Sequence, residues 1–374
     1  AQPRGFNSSI AVSIFARQIK AWTLYNRTMS STKKIQELIG ELIALTCEHE
    51  SCDYSEGDVR IDMVTQMVDA CLKMAIEGHD TGQMKLATYT MKEIRYAYQV
   101  FNRYIGIRKV SIYGSARTPE DNPDYKAASD FGRLMAEAEW MAITGAGDGI
   151  MKAGHEGPKR EASFGLAIRL PFETSANAII EGDPKLINFR YFFTRKLMFM
   201  THSDAIVGCP GGFGTQDEIF EALTLVQTGK ANIVPIVMIA GEGNDYWLNW
   251  AKHIHTDLLG NGMISAEDES LFHVATSPED AVKHILQFYR VYHSSRYYRS
   301  DYIIRVNKKL TDASIDRLND GFGDIIREGK ITQSEALKTE KDHLHLPRVI
   351  VPHTRRSYGR MRQLIDMVNT CETE

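Results

Sequence analysis

Cysteine is scarce and scattered in this chain of 374 residues. Cys47, Cys52, Cys71, Cys209 and Cys371 form no C-x-x-C pair and have no histidine nearby at zinc-ligand spacing. That excludes a disulfide framework and a structural zinc site, and it predicts free thiols in a reducing compartment. Charge of one sign is also lacking, since 44 lysines and arginines stand against 48 acids for a formal net charge of -4. A nucleic-acid polymer would need a local basic patch that this balance does not advertise, whereas a mononucleotide needs only a pocket. No stretch approaches the roughly 18 to 20 apolar residues of a membrane helix, so a soluble protein with no membrane partner is expected. What is present, 43% hydrophobic and 25% charged residues, is the composition of an ordinary globular chain that folds by burying a core.

The first 36 residues contain Arg4, Arg17, Lys20, Arg27, Lys33 and Lys34, and no acid precedes Glu37. Such composition predicts a basic arm of a cytoplasmic protein and leaves organellar import open. From Ile35 to Tyr104 apolar residues recur at helical spacing, as in Ile35, Leu38, Leu42 and Leu45. This predicts a helical region, so that residues 1–107 form an arm and a bundle.

At Lys109 the pattern changes to short apolar runs, glycine-rich turns and amphipathic segments in repeated alternation. Strands are predicted at 110–113, 141–144, 165–170, 205–209, 233–239 and 271–274, and helices at about 123–138, 149–162, 184–202, 215–229, 245–259 and 278–290. Six alternations predict an α/β fold over residues 108–292, a doubly wound, Rossmann-like parallel sheet. Residues 293–374 read as a small α/β appendage with a helix at 311–328, a strand at 349–351 and a helix at 355–368. Its Arg355, Arg356, Arg360 and Arg362 are expected on a solvated helix face rather than at a phosphate.

Ligands of such sheets sit beyond the carboxyl ends of the strands. Three strand-end loops there are rich in small residues and each leads into a helix: Gly114-Ser115-Ala116-Arg117-Thr118, Gly145-Ala146-Gly147-Asp148-Gly149 and Gly211-Gly212-Phe213-Gly214-Thr215. Glycine lets the backbone approach an oxyanion, and a helix N-terminus offers unpaired N–H groups. Gly114, Ser115, Gly145, Gly147, Gly149, Gly211, Gly212, Gly214 and Thr215 are therefore the candidate phosphate ligands. Glycine-rich turns also serve tight packing, and that alternative stands for each loop taken singly. No Gly-Lys-Ser/Thr follows any of them and no dinucleotide fingerprint is present, which disfavours ATP hydrolysis and NAD.

Thr215-x-x-Glu218 at a helix start also reads as a capping box, and from these residues alone that role and catalysis by Glu218 are evenly matched. Arg195, in the otherwise apolar segment 191–200, must reach a site or pair with a carboxylate. Lys196 is expected at the surface, Asp148 in a turn, Cys209 as a small buried hydrophobe, and Met198, Phe199 and Met200 in the core.

The segment Pro210-Gly211-Gly212-x-Gly214-Thr215-x-x-Glu218, preceded by Phe193-Thr194-Arg195-Lys196, resembles the LOG ("lonely guy") phosphoribohydrolase family, whose members were often labelled lysine decarboxylases. The similarity runs from about Lys109 to Tyr289 and includes Gly145-x-Gly147-x-Gly149-Ile150-Met151 and Leu225-Val226-Gln227-Thr228-Gly229-Lys230. The resemblance implies hydrolysis of the N-glycosidic bond of nucleoside 5′-monophosphates, with Arg195 and Glu218 as the catalytic pair. It implies no metal or redox cofactor and an active site at a homodimer interface. Ala146 and Asp148 depart from the family's glycine-rich second loop. Related molybdenum-cofactor carriers use a similar loop only to bind, so a non-catalytic carrier is the rival expectation.

Overall fold

A computed structural model describes residues 37–42, 59–169, 176–338 and 340–374. The basic arm therefore lies outside the described residues, as do Cys47 and Cys52. The chain divides after Tyr89 into two units. The first contains helical residues 37–42, helix α1 (Val59–Ile76) and the start of α2 (Thr81–Phe101).

The second unit is built on a parallel sheet. Its strands are β1 (Lys109–Tyr113), β2 (Met141–Thr144), β3 (Ser163–Ile168), β4 (Leu186–Phe189), β5 (Ala205–Gly208), β6 (Ile236–Met238) and β7 (Phe272–Val274). The helices among them are α3 (Pro123–Glu137), α4 (Ile150–Glu156), α5 (Phe192–His202), α6 (Phe213–Gln227), α7 (Tyr246–His253) and α8 (Pro278–Phe288). Every residue of β1, β2 and β5 is buried, as a strand covered by helices on both faces requires. Helix starts follow local chemistry: Asn122 and Ser277 accept from the N–H groups of Asp124 and Asp280, each ahead of a proline at the first helical position.

The strand order is β4-β3-β2-β1-β5-β6-β7, seven parallel strands with the direction of winding reversed between β1 and β5. The expected doubly wound architecture is thus present, with one strand more than the sequence predicts. The helix expected over 184–202 starts only at Phe192, so residues 184–191 precede it. Four of them instead pair along β3 from Gly165↔Leu186 to Ile168↔Phe189, with Ile187 and Phe189 buried and Asn188 exposed. The run is too short to show its alternation against the helical spacing that follows it.

The chain continues through β8 (Tyr292–Tyr298), β9 (Asp301–Val306), α9 (Asp312–Gly321), β10 (Thr332–Ser334), β11 (Arg348–Val351) and α10 (Tyr358–Val368). The strands form an antiparallel sheet in the order β10-β11-β9-β8. Ile304, Val349, Leu364 and Ile365 share one apolar cluster with Ile206, Ile236 and Trp247 of the parallel-sheet layer. The four arginines at the chain's end do not share one solvated helix face: Arg355 and Arg356 are exposed, whereas Arg360 and Arg362 are engaged. Arg362 is 2% exposed, bonded to Asp366 and His284, and Arg360 grips Asp324. Helix α10 starts at Tyr358, so Arg355 and Arg356 precede it. No described helix is long and apolar enough to cross a membrane.

Candidate active site

Winding reversal leaves a crevice where β1 and β5 end side by side, with Tyr113 opposite Gly208. The loops that follow are tied together by their backbones. Cys209 N–H donates to Tyr113 O at 2.7 Å, Ser115 N–H to Pro210 O at 3.1 Å, and Ile150 N–H to Ser115 O at 3.0 Å. Over them lies a cavity of about 1250 Å³ lined by Gly114, Ser115, Gly145, Gly147, Arg195, Gly211, Gly212, Gly214, Thr215 and Glu218. Of the candidate site residues only Gly149 is outside this wall.

The glycines divide by what a methyl group on each would meet. On Gly114 it would lie 2.4 Å from Ile150 Cγ2, on Gly145 2.6 Å from Met151 Sδ, and on Gly211 2.2 Å from Thr215 Oγ1. At Gly149, where φ is +60°, it would lie 2.3 Å from Ser115 O. These glycines permit close packing of loop on loop and loop on helix, so the packing alternative explains them. Gly212 and Gly214 differ, for a methyl there meets nothing within 4 Å and neither has a positive φ. Neither packing nor backbone conformation demands glycine at these two positions, and both face the cavity.

Helix α6 begins at Phe213 with Gly212 as its N-cap and no side-chain cap bond. The helix thus starts two residues earlier than expected, which removes the capping-box role: Thr215 lies in the first turn and Glu218 inside the helix. Both are buried on the face that meets the cavity. Arg195 reaches the same place from α5, whose N-terminus is held by Glu93 of α2 accepting from Arg190 N–H at 2.6 Å and the Thr194 hydroxyl at 2.5 Å.

Arg195 Nη2 stands 3.5 Å from Glu218 Oε1, the two side chains being 13% and 7% exposed. Phe192 and Phe199 flank the guanidinium with ring centroids at 5.2 and 5.7 Å, and its buried Nε has no partner. Lys196 is not at the surface. It meets Asp217 at 2.8 Å, Glu221 at 2.5 Å and the other Glu218 oxygen at 3.8 Å. Burial raises the Glu218 pKa above the ordinary carboxylate value, and Lys196 and Arg195 only partly offset it. Burial, reinforced by the Glu218 charge, likewise holds the Tyr113 phenol well above its usual range, so Tyr113 is a neutral wall.

The second loop is positioned by residues that sequence reasoning passed over. Ala146 has φ +65°, unusual for alanine. Its N–H donates to Thr144 Oγ1, its carbonyl accepts from Asn177 N–H, and Asn177 Nδ2 donates to Gly147 O. His155, fully buried and held neutral by burial, joins Thr144 and Asn177. Asp148 is exposed and off the cavity wall, as a turn residue should be. Cys209 is buried with its thiol pKa pushed up, which suits a small hydrophobe and not a nucleophile. Arg117, Arg169, Asn188, Gln216 and Tyr246 also line the cavity. No group of three or more metal-ligating residues occurs among the described residues.

Residues 146–285 match the family model described as "Possible lysine decarboxylase". Over 175 residues the chain is 26% identical to the probable cytokinin riboside 5′-monophosphate phosphoribohydrolase LOG4 of Oryza sativa subsp. japonica, covering 45% of this chain and 72% of the rice protein. This domain is thus similar in sequence to a LOG protein over less than half of the chain. Solved structures similar to this chain include the molybdenum cofactor binding protein of Rippkaea orientalis, at 20% identity, covering 49% of this chain and 97% of that one, with a TM-score of 0.35. The molybdenum cofactor carrier protein of Chlamydomonas reinhardtii matches at 20% identity over 48% and 97%, also at 0.35.

Proposed function

We propose that the parallel-sheet domain hydrolyses the N-glycosidic bond of nucleoside 5′-monophosphates, giving free base and ribose 5-phosphate. The observation that carries this reading is Glu218, a buried carboxylate on the cavity wall bracketed by Arg195 and Lys196. The phosphate is seated at Gly212 to Thr215, where two glycines leave room and the N-terminus of α6 supplies N–H groups and a favourable dipole. This places the ribose over Glu218, one helical turn further along.

Loss of the base leaves positive charge on the sugar ring, and an ionised carboxylate below the ring stabilises it. Water adds to the anomeric carbon, the carbon–nitrogen bond breaks with its electron pair going to the base, and the proton leaving the water passes to Glu218. A pKa raised by burial makes Glu218 the stronger base for that transfer. Arg195 and Lys196 keep it ionised until then, and Arg195 retains an unpartnered Nε–H for the ligand.

Glu218→Gln preserves the side chain's shape and removes the base. Turnover should fall by about 10²- to 10⁴-fold with the fold intact. The assay is base release from a panel of nucleoside monophosphates. Unchanged turnover in that variant defeats the assignment of Glu218; tight binding by the parent without release of any base supports the carrier instead. We also propose a homodimer, because Phe192 of α5 and Phe213 of α6 are exposed on the cavity wall, Phe213 by 96%, and Phe193 and Leu197 of α5 are exposed as well.

A further inference from the structure

A chain of directional hydrogen bonds at the edge of the cavity ends in an acceptor with nothing to accept from. Tyr246 Oη lies 2.6 Å from Gly211 O and 2.6 Å from Gln216 Nε2. A backbone carbonyl only accepts, so the phenol proton goes to Gly211 and the phenol oxygen must accept from the Gln216 amide. This fixes which end of that amide is which. Gln216 Oε1 is then turned away from Tyr246, and it is buried without a partner. A buried acceptor left unpaired costs free energy that a ligand donor can recover.

The relay rests on a fixed base. Tyr246 starts α7, its N–H donating to Asn244 Oδ1 at 3.0 Å. Asn244 in turn donates to the buried Asp124, which also accepts from Gly241 N–H at 2.7 Å. Both Gln216 and Tyr246 line the cavity. Gln216 sits one residue beyond Thr215 and two before Glu218 in the first turns of α6.

We propose that Gln216 Oε1 is the specificity-determining acceptor for a ribose ring hydroxyl, oriented by Tyr246, so that the site selects ribonucleotides over deoxyribonucleotides. This rests on the phosphate and ribose placement given above. The sugar is the part of a nucleoside monophosphate adjoining the phosphate, and its hydroxyls are the donors that a lone acceptor at this position meets. Tyr246 is a positioning residue: the one phenol both holds the Gly211 carbonyl of the cradle and sets the Gln216 amide.

The test is calorimetric titration with adenosine 5′-monophosphate and its 2′-deoxy and 3′-deoxy forms, in a Glu218→Gln background so that no base is released. Loss of one neutral hydrogen bond should weaken one deoxy form by about tenfold, and which form responds identifies the hydroxyl. Adding Gln216→Leu should abolish that discrimination while binding of the responding deoxy form is retained. Tyr246→Phe should weaken the discrimination and also the binding of inorganic phosphate, a pairing that loss of packing alone would not produce. Equal affinity for all three nucleotides, or discrimination that survives Gln216→Leu, overturns the proposal. Base release is measured separately on the parent protein, so a carrier that selects ribonucleotides without hydrolysing them leaves this inference standing and sinks only the hydrolase reading.

Discussion

The Arg195 guanidinium and the Glu218 carboxylate meet at 3.5 Å across the gap between α5 and α6, near enough to interact and too long for a strong hydrogen bond. Glu218 is therefore a buried carboxylate whose nearest cations hold it incompletely, and burial wins, raising its pKa. For an acid raised in the folded state, the stabilising contribution is fully present below the unfolded value of about 4.3 and is lost as pH rises through the folded value. Ionised Glu218 thus costs stability at neutral pH. Glu218→Gln should melt above the parent at pH 7, and the gap should close towards pH 4. Melting curves across that range check this, and a gap that widens on acidification would reverse the sign. Removing the cation acts in the other direction on the chemistry. Arg195→Met should raise the Glu218 pKa further, move the acid limb of the kcat/KM profile to higher pH and lower its plateau by about 10²-fold.

The two classes of glycine make a second prediction. Gly214 lies in the first turn of α6 with open space where a methyl would go, so Gly214→Ala should stabilise the helix by about 0.5–1 kcal/mol. The same methyl occupies the space assigned to phosphate, and base release and phosphate affinity should fall at least about tenfold. Gly114→Ala places its methyl 2.4 Å from Ile150 and should instead destabilise the fold by about 1–3 kcal/mol. Thermal melts with and without phosphate separate the two. If Gly214→Ala keeps the parent's phosphate response, the cradle is elsewhere.

These contrasts mark where the sequence was legible. β1, β2 and β5 are continuous buried runs followed by small residues, a local pattern that one dimension displays. The crevice follows from strand order, which the alternation implies. β4 was hidden because four residues do not outweigh the helical spacing beside them, and the hairpin of β8 and β9 because its tyrosines and arginines break any apolar alternation. Thr215 and Glu218 have capping-box spacing, and only the start of α6 at Phe213 shows that they are not at its cap. The inward placement of Lys196 is not legible locally, because its three carboxylate neighbours all lie on another helix. Nothing local connects Gln216 to Tyr246, which are 30 residues apart in the chain.

The proposed dimer gives the last prediction. Phe193 and Leu197 stand one turn apart on α5, 49% and 44% exposed, on the helix that carries Arg195. Large apolar side chains exposed together are covered in an assembly more often than left to water. Leu197→Arg places a charge in that face without touching the Arg195–Glu218 pair, so it should convert the dimer to a monomer in sedimentation or light scattering while the isolated fold keeps its melting cooperativity. If the second copy helps to close the cavity, base release should fall with the dimer fraction and recover as protein concentration is raised. A Leu197→Arg protein that remains dimeric would move the interface away from α5. A monomer with full activity would separate assembly from the chemistry at Glu218.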